Sequence, residues 1–342
     1  MRRGLGAIAL ASVATLAAAG TARAQTTGRA RVLIVSGVGG EPQLADAFYK
    51  QATGMMDALK SRFAVPDSDM VYLAENPARD AARIKAASTK ENVIRELTAL
   101  AERSKTGDVL FVMLIGHGSG DETATRFNVP GPDITAADFA RVLDPVGGPV
   151  IAIVNAASAS GGFIGTLSGK NRVVVTATRS DMEKNQTRFA TYFVQAYASD
   201  VADADKDGRV SVLEAFEYAR REVARAYESE NHMLTEHAQL DDNGDHKGTG
   251  APDAKSTDGA LARRVFLGGR AGSVSAAARA SSSDPRVAAL EREKDVIESR
   301  LDSLRRRKAA MDSTAYDKAL EDLLVQLAEK NKAIRDATGG RP

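Results

Sequence analysis

Between Arg31 and Thr176 the chain alternates short apolar or β-branched runs with longer amphipathic stretches. No other feature restricts the fold as much. The runs are Val32 to Val35, Met70 to Leu73, Val109 to Ile115, Val150 to Val154 and Val173 to Thr176. Helix-like patterns occupy Leu44 to Phe63, Ser88 to Ser104, Ala136 to Leu143 and Thr187 to Ser199. Strands that read as continuous apolar runs are buried on both faces, and helical crossovers let successive strands run parallel. The sequence therefore predicts an α/β fold, a mostly parallel sheet flanked by helices. A last apolar run, Arg263 to Leu267, is expected to add one more strand.

The two ends read differently. Arg2-Arg3, an apolar run from Leu5 to Ala19 and the small-residue site Ala22-Arg23-Ala24 form the pattern of a cleavable export signal over residues 1–24. The paired arginines are compatible with the twin-arginine route, but the general secretory route is the more ordinary reading. A periplasmic or secreted protein is the expectation, with no membrane span in its mature form. Residues 268–283 are rich in Ala, Ser and Gly and read as a linker closing an α/β domain over 31–267. After Asp284-Pro285, apolar residues recur at Val287, Leu290, Ile297, Leu301, Leu304 and Met311. Beyond a break at Asp312 to Thr314, a similar stripe runs through Leu320, Leu323, Leu327 and Ile334. Residues 284–336 are thus expected to form a helical hairpin or short coiled coil that packs on itself or self-associates.

Composition removes several functions. The chain has 46 Lys+Arg against 45 Asp+Glu, a net charge of +1, so nothing in the balance points to a nucleic acid or an anionic membrane. It has no cysteine, which excludes disulfides, thiol chemistry and thiolate metal ligands. His232, His237 and His246 share no helical face at zinc-binding spacing. Gly37, Gly39 and Gly40 read as a turn, since a dinucleotide fingerprint would need a further glycine and a ribose-binding acid. Lys105-Thr106-Gly107 lacks the Ser-x-x-Lys partner that would give it meaning.

The most specific motif lies at Asp203 to Glu214. Asp203, Asp205 and Asp207 alternate, Gly208 follows, and Ser211 and Glu214 close the run, with helical patterns on either side at Tyr192 to Ala198 and Val212 to Ala226. This is the spacing of an EF-hand calcium loop. Alternate carboxylates can curl around a hard cation while Gly208 permits the turn. The Arg209 carbonyl and Ser211 supply further oxygens, and Glu214 can bind through both of its own. Without Ca2+ the clustered carboxylates would repel one another. Asp241, Asn243 and Asp245 repeat the alternation but lack the glycine and the closing acid, so they read as a polar loop.

The run Val109 to Ile115 delivers Gly116-His117-Gly118 at its carboxyl end, and Val150 to Val154 delivers Asn155 to Gly162. In an open parallel sheet, sites form at such strand ends. The pair resembles the caspase and legumain group of cysteine peptidases, in which one strand ends in His-Gly and the next in a Cys followed by x-Ser-Gly. The resemblance runs over most of residues 31–267 and implies a three-layer caspase-like sandwich, with His117 in the dyad and the Gly118 N–H facing an oxyanion. Counting back from Ser160-Gly161 puts the nucleophile position at Ser158, and counting forward from the strand puts it at Ala157; neither is a cysteine. A serine hydroxyl needs more activation than a thiol, usually a histidine oriented by a carboxylate. The resemblance therefore implies a degenerate peptidase that acts as a binding or assembly module for a peptide or protein. Two alternatives stand beside it: an active hydrolase using Ser158 with His117, and a calcium-dependent structural protein. Ser158 also has an ordinary role open to it as a helix cap or loop hydroxyl.

Overall fold

The computed structural model describes residues 28–121, 123–204, 208–252, 258–268 and 311–337, together with separate helical positions between 286 and 304. The expected export signal at 1–24 and most of the expected linker lie outside the described residues.

Among the described residues there are ten strands: β1 (Ala30–Ser36), β2 (Met70–Ala74), β3 (Ile84–Ala87), β4 (Val109–Ile115), β5 (Gly118–Gly120), β6 (Thr125–Phe127), β7 (Ile134–Thr135), β8 (Val150–Asn155), β9 (Arg172–Thr176) and β10 (Gln239–Asp241). The main sheet has seven strands in the order β10-β9-β8-β4-β1-β2-β3. All its pairings are parallel except β10 against β9. From β1 the chain builds outward through β2 and β3, then returns to place β4 on the other side of β1 and continues to β8 and β9. The reversal leaves a crevice beyond the carboxyl ends of β1 and β4, where Gly37 and His117 follow their strands.

The helices are α1 (Pro42–Phe63), α2 (Lys90–Arg103), α3 (Ala136–Leu143), α4 (Phe163–Leu167), α5 (Phe189–Ala198), α6 (Val212–Ser229) and α7 (Ser313–Ala337). Their starts follow local chemistry. Pro42 opens α1, Thr89 caps α2 by accepting the Asn92 N–H, and Thr135 with Asp138 and Ser211 with Glu214 form capping boxes at α3 and α6. Successive residues of β1 face opposite ways. Val32 and Ile34 join one buried cluster with Phe48 and Met55 of α1, Phe193 of α5 and Phe216 of α6. Leu33 and Val35 join another with Val93 and Leu97 of α2, Phe139 of α3 and Phe163 of α4. The sheet is therefore the middle of three layers, which is why its strands read as unbroken apolar runs.

Arg263 to Leu267 is a correction to the sequence reading. Ala262–Arg264 forms a 3-10 turn, and Phe266 makes only an isolated antiparallel bridge to Ser211. The edge strand comes instead from β10, in the acidic segment after α6, where Leu240 is fully buried against β9. The short β3 and the three-stranded sheet β5-β6-β7 carried no periodicity long enough to find.

In the tail, the described residues between 286 and 304 are helical, with Val287, Ile297, Leu301 and Leu304 buried. Lys330 of α7 pairs with Glu293 at 2.6 Å, so α7 lies beside that segment. Among the described residues no helix is long and apolar enough to cross a membrane.

Candidate functional site

β4 and β8 are parallel neighbours with Leu114 opposite Asn155, so their two exit loops leave the sheet side by side. The loop after β8 lands on the Gly118 backbone. The Gly118 N–H donates to Ser158 Oγ at 3.2 Å, and the Ser158 hydroxyl points back to the Gly118 carbonyl at 3.5 Å. Ser158 is only 2% exposed. A Cβ on Gly118 would lie 2.3 Å from the Ser158 carbonyl oxygen, so this approach needs glycine. Ala157, the other register, points into the core beneath the sheet.

His117 is half-buried, and its carbonyl accepts the Asn128 N–H at 3.0 Å. Its ring packs edge-on against Phe48, with centroids 5.5 Å apart. Among the described residues the imidazole makes no hydrogen bond, and no carboxylate pairs with it. The structure thus brings Ser158 to Gly118, and among the described residues no base accepts a hydrogen bond from the Ser158 hydroxyl.

Neighbouring segments close over this position. Ala159, in the left-handed region at φ 49°, donates its N–H to the Glu183 carbonyl at 2.8 Å. Ser160 Oγ and Thr178 Oγ1 lie 3.1 Å apart, and Thr178 also accepts the Gly161 N–H at 3.0 Å. Thr187 donates to the Ala156 carbonyl at 2.6 Å. The loop from Thr178 to Arg188 is itself held by the segment that precedes β10. His237 Nδ1 lies 2.6 Å from Glu183 Oε1, and the buried Glu236 carboxylate accepts the N–H groups of Arg188 and Phe189. Burial pushes Glu236 up to about 7 in spite of those donors. The sequence marks none of Thr178, Glu183 and Glu236, and it presents His237 only as a histidine without zinc-binding spacing. Each acts through a partner between 17 and 54 positions away, a separation that no motif encodes.

At the loop from Asp203 to Glu214, the described residues form a turn closed by its two end acids. Gly208 has φ 82° and its N–H donates to Asp203 Oδ2 at 3.0 Å. Glu214 reaches back across the loop: Oε1 accepts the Ala204 N–H at 3.0 Å, and Oε2 accepts from the Ser211 N–H and hydroxyl at 2.9 and 2.8 Å. The first and last acids of the motif therefore flank one turn. Asp205 and Asp207 lie outside the described residues. The donor set is all oxygen, which suits a hard cation. Ser211 bridges Phe266, the Val212 N–H donates to the Val265 carbonyl at 2.9 Å, and the Arg209 guanidinium sits 4.1 Å over the Phe266 ring. The 263–267 run thus backs this loop instead of extending the sheet.

The remaining candidates are structural. Asp241 accepts from Ser168 Oγ at 2.8 Å and from the Gly244 N–H at 3.2 Å, while Asn243 accepts the Asp245 N–H at 2.7 Å. Their acceptors are engaged in shaping the β10 turn. The Gly39 N–H donates to Glu75, and the Gly37 N–H donates to the Ile115 carbonyl, tying the segment after β1 to β2 and β4. His232, His237 and His246 contact Glu230, Glu183 and the Gly165 carbonyl respectively. Among the described residues no group of three or more His, Asp or Glu is arranged to hold a metal ion.

A family model described as the metacaspase, peptidase C14 domain matches residues 35–142. The α/β domain is caspase-like. The match runs from the end of β1 to α3, takes in His117 and Gly118, and ends before Ser158, so it is shorter than the resemblance read from the sequence. No curated protein is significantly similar to the chain. Among solved structures, the chain is similar to a structural-genomics crystal structure of a protein from Geobacter sulfurreducens. That protein is 12% identical with a TM-score of 0.41, over 66% of this chain and 95% of that one. With no cysteine anywhere in the chain, the caspase-like domain lacks the thiol of the peptidase group it resembles.

Proposed function

We propose that this is an exported, calcium-binding caspase-like protein without peptidase chemistry, which acts as a binding or assembly module. The observation that carries the reading is the bond from the Gly118 N–H to Ser158 Oγ. The hydroxyl occupies the donor that would otherwise face an oxyanion, and it is buried beneath the 178–188 loop. A nucleophilic serine would need a base to take its proton and a third group to orient that base. The His117 ring, set against Phe48, has neither Ser158 nor a carboxylate as a hydrogen-bond partner. Export rests on residues 1–24, and calcium binding rests on the Asp203-to-Glu214 spacing together with the turn that joins its two ends.

The closure over Ser158 also favours a second reading, in which calcium holds a scaffold whose strand-end crevice binds nothing.

Peptide-library cleavage by the mature protein tests the first reading. Unmodified protein should cleave nothing, with or without calcium. Ser158→Cys should gain slow cleavage that His117→Ala abolishes, and Ala157→Cys should gain none. Robust cleavage by unmodified protein that disappears in Ser158→Ala would overturn the proposal and establish a serine hydrolase.

A further inference from the structure

Helix α7 has two apolar faces, and the hairpin uses one of them. Its inner face carries buried Tyr316 and half-buried Leu323, Leu327 and Ile334, toward the 286–304 segment. Its outer face carries Leu320, Leu324, Val325 and Ala328 at helical spacing, with the exposed Glu321 among them. There Leu324 is 42% exposed and Val325 52%. Exposed Leu and Val side by side along a helix are costly in water unless a second surface covers them.

The charges at the ends of this stripe say what fits it. Asp317 lies on its N-terminal side and Lys332 on its C-terminal side, both exposed. The two charges are equally distant in sequence from the Leu324–Val325 pair. If the outer face meets a copy of itself running antiparallel, with a two-fold axis through Leu324–Val325, the Asp317 carboxylate of each copy meets the Lys332 ammonium of the other. In that register Leu320 lies across from the Glu329 position of the other copy and Ala328 across from Glu321, and the small Ala328 side chain lets the backbones approach. Such a contact is isologous and closes on itself. A parallel pairing would set like charge against like. Lys330 is already engaged with Glu293 within the hairpin, so it does not compete.

We infer that the occupant of this face is a second copy of the chain, and that two tail hairpins join through α7 into an antiparallel four-helix bundle. This deepens the assembly part of the function proposed above. It gives that part a surface, a register and a partner.

Sedimentation of the mature full-length protein over a concentration series tests the inference. A monomer–dimer equilibrium is expected. The double variant Leu324→Glu/Val325→Glu should be monomeric over the range in which the native chain dimerises, with the thermal unfolding of the α/β domain unchanged. Asp317→Lys and Lys332→Asp should each weaken dimerisation by roughly tenfold, because two attractive contacts per dimer become repulsive. The combined charge swap should restore it. A native chain that stays monomeric, a dimer that survives Leu324→Glu/Val325→Glu, or a charge swap that does not restore association would each overturn the inference. A monomeric chain that still binds calcium and cleaves no peptide would overturn the dimer alone and leave the other parts of the functional reading standing.

Discussion

The Gly118 N–H donates to Ser158 Oγ across 3.2 Å, joining the exit loops of two neighbouring parallel strands through a glycine whose Cβ would crowd the Ser158 carbonyl. This one bond fixes which residue of the second loop faces the His-Gly pair. It also occupies the donor that acyl-transfer chemistry would need free.

Adding a single methyl group at Gly118 should therefore be costly. Its Cβ would meet the Ser158 carbonyl at 2.3 Å and the Arg126 carbonyl at 2.9 Å, both backbone atoms. Gly118→Ala should lower stability by about 1–3 kcal/mol in urea unfolding. Gly165→Ala is the matched control. It lies in α4 with nothing within 4 Å of its Cβ, and should raise stability by about 0.5–1 kcal/mol. Equal effects at the two sites would mean that the 158 loop does not press on Gly118.

Adding calcium to metal-free protein should raise its melting temperature, since a ligand held only by the folded state stabilises it by about 2.7 kcal/mol at a hundredfold excess over Kd. Asp203→Asn keeps an acceptor for the Gly208 N–H while removing a charge, so it should abolish the calcium effect and leave the metal-free protein nearly as stable. Asp205→Ala should also remove most of the gain. If titration calorimetry gives no binding heat at millimolar calcium, the motif is an acidic turn and nothing more.

Stability should fall as pH rises through the weakly acidic range. Burial raises Glu236 from 4.5 to about 7, so between those values the folded protein holds a proton that the unfolded chain has released. Uptake by the folded state means that stability decreases with rising pH across that window and levels off above it. Asp258, raised by burial to about 6, acts in the same direction. Glu236→Gln should flatten part of the slope measured by urea midpoints from pH 4.5 to 7.5, and an unchanged slope would show that Glu236 does not carry it.

Truncation near Ser281 should leave a cooperatively folding domain. Phe266 and Leu267 are buried in that domain, and the cut falls well beyond them. Loss of a cooperative thermal transition in the truncated chain would place the tail within the core.

Much of this was legible in the sequence because it is local. The five apolar runs, the helix between β1 and β2, and the apolar stripes of the tail depend on periodicity and on neighbours within a few positions. His117 and Gly118 were legible for the same reason, as the end of a long buried run. The calcium-motif turn rests on spacing within one loop, with Gly208 at the position that needs positive φ.

Tertiary structure alone decided the rest. Whether Ser158 or Ala157 faces Gly118 depends on the register of β8 against β4, which inter-strand hydrogen bonds set and composition does not. The edge strand went to Gln239–Asp241 and not to Arg263–Leu267. Leu240 could fill a gap against β9, while Val265 and Phe266 were needed behind the Asp203-to-Glu214 loop. The lid over Ser158 is built from Thr178, Glu183, Glu236 and His237, which meet only after folding. A sequence records which side chains are available at each position; the closing of long loops decides which of them touch.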